Sequence, residues 1–303
     1  MNGVLLVDKE SGVTSHDVVA DVRRLFNMRE VGHGGTLDPL ATGLLICLVG
    51  EATKLSSYVM SEEKSYRVGV RLGIQTDSGD ITGKVIKEGD FSAVTKADIE
   101  KHIQALTGVL ALPVPKYSAV KVNGRKLYEY ARKHEDVQIP TKDMTIKRVE
   151  LLECQLESSE ASLGGFLSID LDCEKGTYVR SWVERLGELL GCGATVQSLR
   201  RLRSGPFSID ACRKISQFSD GNLKDSLVPL PLVMGAWPAL KVLGRDLHLV
   251  RNGQIPNGIF TQLLHFNWRQ GVRLLTEEGD LLALVIRDQE KGLKLARVFN
   301  SKC

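Results

Sequence analysis

Apolar and polar residues follow two different periods along the chain, and these periods predict strands in some segments and helices in others. Residues 64–72 alternate between polar and apolar positions, which predicts a strand with one buried face. Residues 44–49 are continuously apolar, as is typical of a strand buried on both faces. Further strands are predicted at residues 4–7, 83–86, 145–157 and 166–174.

Two helical segments open with a Thr-x-x-Asp capping box, in which each side chain binds a backbone donor of the first turn. Thr14 and Asp17 begin a predicted helix that continues to about residue 26, and Thr95 and Asp98 begin one that continues to residue 106. Further helices are predicted at residues 51–60 and from a turn at 176–180 to about residue 190, and a surface helix is an alternative for 127–133.

The pattern changes at a proline-containing stretch, residues 229–238. Residues 240–298 carry short apolar runs separated by turn residues, which predicts a compact β-rich unit. At roughly 60 residues such a unit buries little core alone, so we expect it to pack on the main body. The residues thus predict an α+β protein with a main domain at 1–235 and a second domain at 236–303.

Asp38 stands in a loop, residues 32–43, that is rich in glycine and threonine and is followed directly by the apolar run at 44–49. Pro39 restricts its own backbone and moves Asp38 out of the helical region. An acidic group on a stiff loop anchored to the core is how catalytic or binding groups are usually presented. The alternative is an aspartate that only caps a turn.

The composition is that of an ordinary globular protein: 303 residues, 43% hydrophobic and 25% charged. The start of the chain lacks the basic segment and the long apolar run of a signal peptide, and the sequence has no long apolar run of membrane-span length. We therefore expect a cytoplasmic protein. Its six cysteines are scattered without a Cys-x-x-Cys pair, which argues against zinc and disulfides and predicts mostly buried thiols.

Positive charge is concentrated in two short segments, although the net charge is only +3. Residues 116–133 contain six cations and one acid, interleaved with Tyr117, Tyr128 and Tyr130, and Arg200, Arg201 and Arg203 form the second cluster. Cations can bind phosphates while aromatic rings stack on bases, so these segments predict nucleic-acid binding. The alternative is a solvated face.

Motifs for the common cofactors are missing. The chain has no Gly-x-Gly-x-x-Gly after a strand, no P-loop, no Gly-x-Ser-x-Gly and no metal-ligand spacing of its histidines. Two classes of protein remain: an enzyme that needs no cofactor or metal, and a protein that only binds its partner.

Several segments together resemble the bacterial tRNA pseudouridine synthases of the TruB family, which isomerise uridine 55 in the TΨC arm. The matching segments are Gly-His-Gly-Gly-Thr-Leu-Asp-Pro-Leu-Ala-Thr-Gly at 32–43, Lys-Ser-Tyr at 64–66, Pro-Lys-Tyr-Ser-Ala-Val-Lys at 115–121, Gly-Thr-Tyr-Val-Arg at 176–180 and Leu-Arg-Arg at 199–201. Residues 8–15 resemble a further motif, with Glu10 where the family commonly has proline.

The resemblance implies a pseudouridine-synthase fold, with a mixed, largely antiparallel central sheet flanked by helices. It also implies an RNA-binding insertion near residues 112–140 and a small C-terminal β-rich PUA-like domain that binds RNA. No cofactor or metal is implied, tRNA is the expected partner, and we expect a monomer without an obligate protein partner.

The resemblance also assigns roles to residues. Asp38 is expected to be the essential carboxylate, Arg180 its partner and Tyr66 the residue that stacks on the uracil. His33 is expected to fill the gap left by the flipped base, and base flipping costs a few kcal/mol that such a group partly offsets. Lys9 is expected near the site, with either a structural role or a phosphate contact. The remaining expected substrate contacts are Tyr178 and Leu199 around the site, and Lys116, Lys121, Arg125, Lys126, Arg132, Arg200 and Arg201 on phosphates.

Two other functions stay open at this point. A non-catalytic RNA-binding protein on the same fold would not depend on Asp38. A cofactor-free hydrolase with Asp38 as nucleophile would act on a small substrate and would not need the basic segment at 116–133.

Overall fold

A computed structural model describes residues 1–156, 165–219, 221–265, 271–288, 290 and 292–300. Within these ranges, no helix is both long enough and apolar enough to cross a membrane. The strands of these residues form one large sheet with its helices, a four-stranded C-terminal sheet and two sheets of two strands each.

The strands are named in chain order. Those before residue 230 are β1 (Gly3–Lys9), β2 (Val31–His33), β3 (Thr42–Val49), β4 (Lys64–Leu72), β5 (Ile74–Thr76), β6 (Val85–Glu88), β7 (Gly108–Pro113), β8 (Lys121–Val122), β9 (Arg125–Lys126), β10 (Thr141–Gln155), β11 (Phe166–Cys173), β12 (Ala194–Ser204), β13 (Phe207–Ser208) and β14 (Leu227–Val228). The C-terminal strands are β15 (Ala239–Lys241), β16 (Val272–Leu275), β17 (Leu281–Asp288) and β18 (Gly292–Val298).

The α-helices are α1 (Ser15–Phe26), α2 (Ser56–Met60), α3 (Lys96–Ala105), α4 (Leu127–Arg132), α5 (Val179–Leu189), α6 (Leu230–Val233), α7 (Asp246–Arg251) and α8 (Asn257–Leu264). Short 3-10 helices occupy Gly50–Leu55, Ile209–Ala211 and Ile215–Gln217. Both predicted capping boxes are confirmed, with Thr14 and Asp17 opening α1 and Thr95 and Asp98 opening α3.

The large sheet has the order β14-β1-β3-β12-β4-β11-β10-β7, with β2 on β3 and β13 on β12. Its strand pairs are antiparallel except β3 with β12, which are parallel at Arg200 beside Thr42 and Arg201 beside Gly43. The predicted mixed, largely antiparallel sheet is therefore confirmed. The parallel pair matters for function because it brings β12 against the end of the Asp38 loop.

Strand β3 is buried on both faces, as its continuous apolar sequence predicts. Leu45 and Cys47 pack in the core under helices α1, α3 and α5. Leu44 and Ile46 pack in a second core on the opposite face. The Asp38 loop is thus anchored by a strand whose side chains are held on both sides.

The second core joins the large sheet to the C-terminal unit. Leu281, Leu284 and Phe299 pack in it with β1 and β3. Hydrogen bonds add to this contact: the Lys54 ammonium donates to the carbonyl of Val298 at 2.9 Å, and the Arg297 guanidinium donates to the carbonyl of Lys54 at 3.1 Å. The expectation that a small unit would pack on the main body is met, while a boundary at residue 235 and its PUA-like character stay predictions.

Some predicted elements differ from the structure. Residues 240–298 also contain helices α7 and α8, so this unit is less purely β than its turn residues suggest. The prolines of residues 112–117 predict an irregular segment, but residues 112 and 113 belong to β7, which tolerates Pro113 because β7 lies at the edge of the sheet. The basic segment at 200–203 lies within β12. Of the cysteines, Cys47, Cys173 and Cys192 are buried, Cys154 and Cys212 are partly buried, and Cys303 lies outside the described residues.

Candidate active site

Asp38 is bound by Arg180 through one hydrogen bond and one further ion-pair contact. The Nε atom of Arg180 lies 3.0 Å from Oδ2 of Asp38, and Nη2 lies 3.2 Å from Oδ1. The Asp38 side chain remains 37% exposed, while that of Arg180 is 6% exposed. The carboxylate is therefore fixed from one side by a buried cation and open on another.

Arg180 lies in the first turn of α5 and is itself held by two carbonyl groups. Its Nη1 donates to the carbonyl of Ser78 at 2.9 Å, and its Nη2 donates to the carbonyl of Tyr117 at 3.0 Å. Burying a guanidinium is costly unless its donors are satisfied. These acceptors and Asp38 satisfy it and fix the plane of the group.

The backbone of the Asp38 loop is held by side chains from three elements. From β1, the Lys9 ammonium donates to the carbonyl of Pro39 at 3.2 Å. At the start of α1, the Ser15 hydroxyl donates to the carbonyl of Leu37 at 3.1 Å and accepts from its amide at 2.9 Å. From β12, Arg201 binds carbonyl groups on both sides of Asp38 in the sequence.

Arg201 does not occupy the surface position that a phosphate contact requires, and this corrects our expectation. It is 1% exposed, and its guanidinium donates to the carbonyls of Thr36 at 2.7 Å, Leu44 at 3.2 Å and Gly35 at 3.3 Å. The physical reason is that β12 lies inside the sheet, between β3 and β4, and that successive side chains of a strand alternate between its faces, so Arg201 is buried while its neighbour Arg200 is half-exposed. Arg201 holds the loop and is closed off from RNA.

Tyr66 lies opposite Arg201 on the neighbouring strand β4. Its hydroxyl accepts a hydrogen bond from Nε of Arg201 at 3.3 Å, and the guanidinium lies 5.7 Å from the ring centroid. Burial raises the pKa of Tyr66, with Arg201 acting in the opposite direction. The phenol is therefore neutral at physiological pH.

A cavity of about 640 Å³ lies between the Asp38 loop, α5 and the basic arm, by which we mean residues 116–133. A cavity of this size falls in the range of small-molecule sites. The residues that line it come from the Asp38 loop, the central sheet, helix α5 and the basic arm, and include Asp38, Tyr66, Arg180, Tyr178, Leu199, Tyr117, Ser118, Lys126, Tyr128 and Arg132. The structure thus brings together Asp38, Tyr66, Arg180, Tyr178 and Leu199, which are far apart in sequence.

The basic arm contributes cations of two kinds. Lys126 and Arg132 line the cavity and lie 5.4 and 5.2 Å from the ring of Tyr128, which also lines it. Arg125 instead forms an ion pair with Glu135 at 2.8 Å. Lys121 and Lys116 are exposed, and Lys116 lines a smaller neighbouring cavity of about 260 Å³.

The remaining predicted contacts lie at the rim or behind the site. His33 is partly buried and meets His16, a cavity residue, edge to face at 5.6 Å between ring centroids. Burial and the positive groups nearby lower the pKa of His33. Lys9 is 1% exposed and also donates to the carbonyls of Val13 and Glu10, so it holds the loop and leaves no donor for a phosphate.

Arg200 is half-exposed and paired with an acid. Its guanidinium donates to both carboxylate oxygens of Asp8, at 3.0 and 2.8 Å. A phosphate contact by Arg200 stays a prediction. Within the described ranges, no group of three or more His, Cys, Asp or Glu residues is placed to hold a metal ion.

Residues that sequence reasoning missed include Ser15, which binds both backbone groups of Leu37, and Ser118, which lines the cavity. Both residues lie in segments that match family motifs, at 8–15 and 115–121, but nothing in those segments singles out either serine. Their importance follows from contacts between segments far apart in sequence.

Comparisons with known proteins assign this chain to a family. The family model for the N-terminal domain of TruB pseudouridylate synthase matches residues 23–179, and that for the tRNA pseudouridylate synthase B C-terminal domain matches residues 180–229. The chain belongs to the TruB family of pseudouridylate synthases. The Asp38 loop and Tyr66 lie within the first of these matches, and Arg180 is the first residue of the second.

Relatives of the TruB family match nearly the whole chain. A protein named tRNA pseudouridine synthase B from Bdellovibrio bacteriovorus is 41% identical, over 98% of this chain and 97% of that one. The protein of the same name from Clostridium perfringens, strain SM101, is 37% identical over 99% of each chain. As a TruB family member, the chain is an isomerase of uridine in RNA.

The fold recurs in a solved structure of an H/ACA RNP bound to a substrate RNA containing 2′-deoxyuridine. A chain in it superposes with a TM-score of 0.69 at 19% identity, over 99% of this chain and 86% of that one. Together with the family matches, this shared fold confirms the predicted pseudouridine-synthase fold.

Proposed function

We propose that this chain converts uridine 55 in the TΨC loop of tRNA to pseudouridine, with Asp38 as the essential carboxylate. The observation that carries the proposal is the two-point contact of Asp38 with Arg180 at the wall of a cavity that Tyr66 also lines. This arrangement supplies a charged oxygen of fixed direction where a nucleotide can enter.

The reaction breaks the bond between ribose C1′ and uracil N1, rotates the base and joins C1′ to C5. The C5 proton leaves and N1 gains a proton, so no oxidant or reductant is needed. Asp38 acts by attack on the sugar, by attack on the base or by removal of the 2′ proton. Each route needs an ionised carboxylate within about 3 Å of the reacting atom, and Arg180 holds that carboxylate in place by a hydrogen bond and an ion-pair contact.

Tyr66 and Leu199 form the part of the cavity proposed to hold the uracil. The ring of Tyr66 stacks on the base, and its neutral hydroxyl lies near the C5 proton that must leave. Leu199 lies 8% exposed behind the base and excludes water from that side. Arg201 keeps the tyrosine and the loop in register, because it binds the Tyr66 hydroxyl and the carbonyl of Thr36 together.

RNA entry requires the target base to leave its stack, at a cost of a few kcal/mol. His33 fills the gap, and its lowered pKa favours the neutral imidazole that stacks between bases. Lys126 and Arg132 hold the phosphates of the extruded nucleotide at the cavity, and Lys116, Lys121 and Arg125 extend the contact along the RNA.

Support for position 55 comes from the family motifs and from the name of the relatives. The test is a map of pseudouridine in a tRNA transcript after incubation with the chain, with a transcript carrying cytidine at position 55 as control. We expect one new pseudouridine, at position 55, and none in the control. Modification at another uridine, in either transcript, would overturn the proposed site.

The same assay separates the alternatives. An RNA-binding protein without activity would bind the transcript and leave it unmodified. A hydrolase of small substrates would neither bind nor modify it. Because the proposed substrate is tRNA, we also propose a cytoplasmic location. We further propose that the chain acts as a monomer without an obligate protein partner.

A further inference from the structure

The hydroxyl of Ser118 is buried in the wall of the candidate active site without a partner. Ser118 is 6% exposed and lines the cavity that contains Asp38. Its Oγ atom is closed off from bulk solvent and has no hydrogen-bond partner among the residues that the structure describes. Buried hydroxyl groups are nearly always paired, so an unpaired one at a substrate cavity needs an explanation.

The peptide segment that carries this hydroxyl is fixed relative to the catalytic carboxylate. The carbonyl of Tyr117 accepts a hydrogen bond from Nη2 of Arg180, and the same Nη2 atom lies 3.2 Å from Oδ1 of Asp38. The carbonyl of Ser118 accepts from the amide of Tyr128 at 3.1 Å. Backbone contacts on both sides therefore set the position of Ser118, and its hydroxyl contributes nothing to that position.

We propose that Ser118 is a substrate-positioning residue whose hydroxyl binds a polar atom of the target uridine once the nucleotide occupies the cavity. A hydroxyl can donate to a uracil carbonyl or accept from a ring N–H, so it suits the polar edge of this base. The unpaired state is then a cost that the free enzyme carries and that bound substrate removes. This inference rests on the proposed function, because it assumes that the cavity holds uridine.

The chain supplies a matched control in Ser204. It is also buried, at 1% exposed, and its Oγ atom likewise has no partner among the described residues, but it lies at the end of β12 away from the cavity. Substitution of either serine by alanine removes one unpaired buried hydroxyl. Of the two residues, only Ser118 lines the cavity.

The experiment measures kcat/KM on a tRNA transcript and the melting temperature for the native chain, Ser118→Ala, Ser118→Thr and Ser204→Ala. We expect Ser118→Ala to lose roughly tenfold in kcat/KM, the size of one hydrogen bond, with a melting temperature equal to or above that of the native chain. Ser118→Thr, which keeps a hydroxyl, should recover part of the loss, and Ser204→Ala should keep native kcat/KM.

Native kcat/KM in Ser118→Ala would overturn the inference. A lower melting temperature of this variant would also overturn it, because it would show that the hydroxyl stabilises the protein itself. An equal loss in Ser204→Ala would remove the link to the cavity. If instead the native chain modifies no uridine, the proposed function fails and not only the role of Ser118.

Discussion

The guanidinium of Arg180 and the carboxylate of Asp38 meet in a two-point contact, with Nε 3.0 Å from Oδ2 and Nη2 3.2 Å from Oδ1. Arg180 is buried, whereas Asp38 keeps an open side towards the cavity. The pair therefore does more than balance charge. It fixes the direction in which the carboxylate can meet a substrate.

This geometry predicts that Arg180→Lys is not a conservative change. A lysine ammonium is a point charge without the planar fork, and it cannot bind Asp38 at two points while it also binds the carbonyls of Ser78 and Tyr117. We expect kcat to fall by roughly a hundredfold, the order seen when one preorganised charge-stabilising group is lost. Steady-state kinetics on a tRNA transcript measure this.

The control for Arg180→Lys is Arg185→Lys on the same helix. Arg185 is about half exposed and pairs with Glu188 on the surface. We expect native kcat from this variant. If Arg180→Lys were equally active, the two-point contact would have no catalytic role.

Substitution of Arg201 should lower the stability of the protein, because the hydrogen bonds of its guanidinium lie in the interior. Arg201→Met leaves the carbonyls of Gly35, Thr36 and Leu44 without their donor, and each unpaired buried carbonyl costs about 1–3 kcal/mol. We expect the free energy of unfolding to fall by about 3 kcal/mol or more in a urea titration. An unchanged urea midpoint would contradict the role of Arg201 as the residue that holds the loop.

The cations of the basic arm predict an effect on salt dependence and not on stability. Arg132→Gln should weaken tRNA binding and lower the slope of log affinity against log salt by about 0.7–0.9, the value for one phosphate contact. Its melting temperature should stay native, because Arg132 is exposed. Filter binding at several salt concentrations gives the slope.

Arg125→Gln serves as the comparison within the arm. Arg125 already pairs with Glu135 at 2.8 Å, so RNA would have to compete with that carboxylate. We expect a smaller change of slope than for Arg132→Gln. The opposite order would show that the cavity cations are not the main phosphate contacts.

Lys9 predicts an alkaline limit to activity. Burial lowers the pKa of Lys9 to about 8, although the charge of Asp38 acts to raise it. Above about pH 8 the ammonium that binds the carbonyl of Pro39 is lost, so we expect kcat/KM to be about half its plateau near pH 8 and to decline above it. A pH profile of the native chain and of Lys9→Met tests this, since the variant should be less active at pH 7 and lack this limb.

The effect of the same group on stability has the opposite sign. The pKa of Lys9 is lowered on folding, so between about pH 8 and its usual value near 10.5 the unfolded chain binds more protons than the folded one. From this group alone, the free energy of unfolding rises with pH in that window and is constant below it. Loss of activity there would therefore not be loss of fold.

Lys64 provides the control for the pH profile. Burial lowers its pKa to about 8 as well, but its ammonium binds the carbonyls of Met60 and Glu62, away from the Asp38 loop. Lys64→Met should keep the alkaline limb. A limb that persists in Lys9→Met and disappears in Lys64→Met would contradict the account of the loop.

The elements that could be predicted from the sequence are those whose signal lies in residues close together along the chain. The Thr14 and Asp17 capping box is local, and so is the alternation along β4. Helices α7 and α8 were missed because they are short and lie among the turn residues Gly244, Gly253 and Pro256. Their helical state is set by packing in the C-terminal core more than by their own period.

Only those site residues that belong to family motifs could be predicted from the sequence. The motifs identified Asp38, Tyr66 and Arg180, and the expected pairing of Asp38 with Arg180 is present in the structure. An arginine in a basic run resembles a surface residue, whereas Arg201 is internal because it lies on the interior strand β12 and on the face that meets the carbonyls of the Asp38 loop. Such long-range strand pairings leave no mark in the local pattern.

The central claim is that Asp38 carries out the isomerisation, and the most direct test is release of the C5 proton. A tRNA transcript labelled with tritium at C5 of its uridines is incubated with the native chain, with Asp38→Asn and with Asp143→Asn, in which an exposed aspartate on β10 is changed. We predict release by the native chain and by Asp143→Asn, and none by Asp38→Asn, while all three bind the transcript. Release by Asp38→Asn at the native rate would contradict the account, and so would tight binding without release by the native chain.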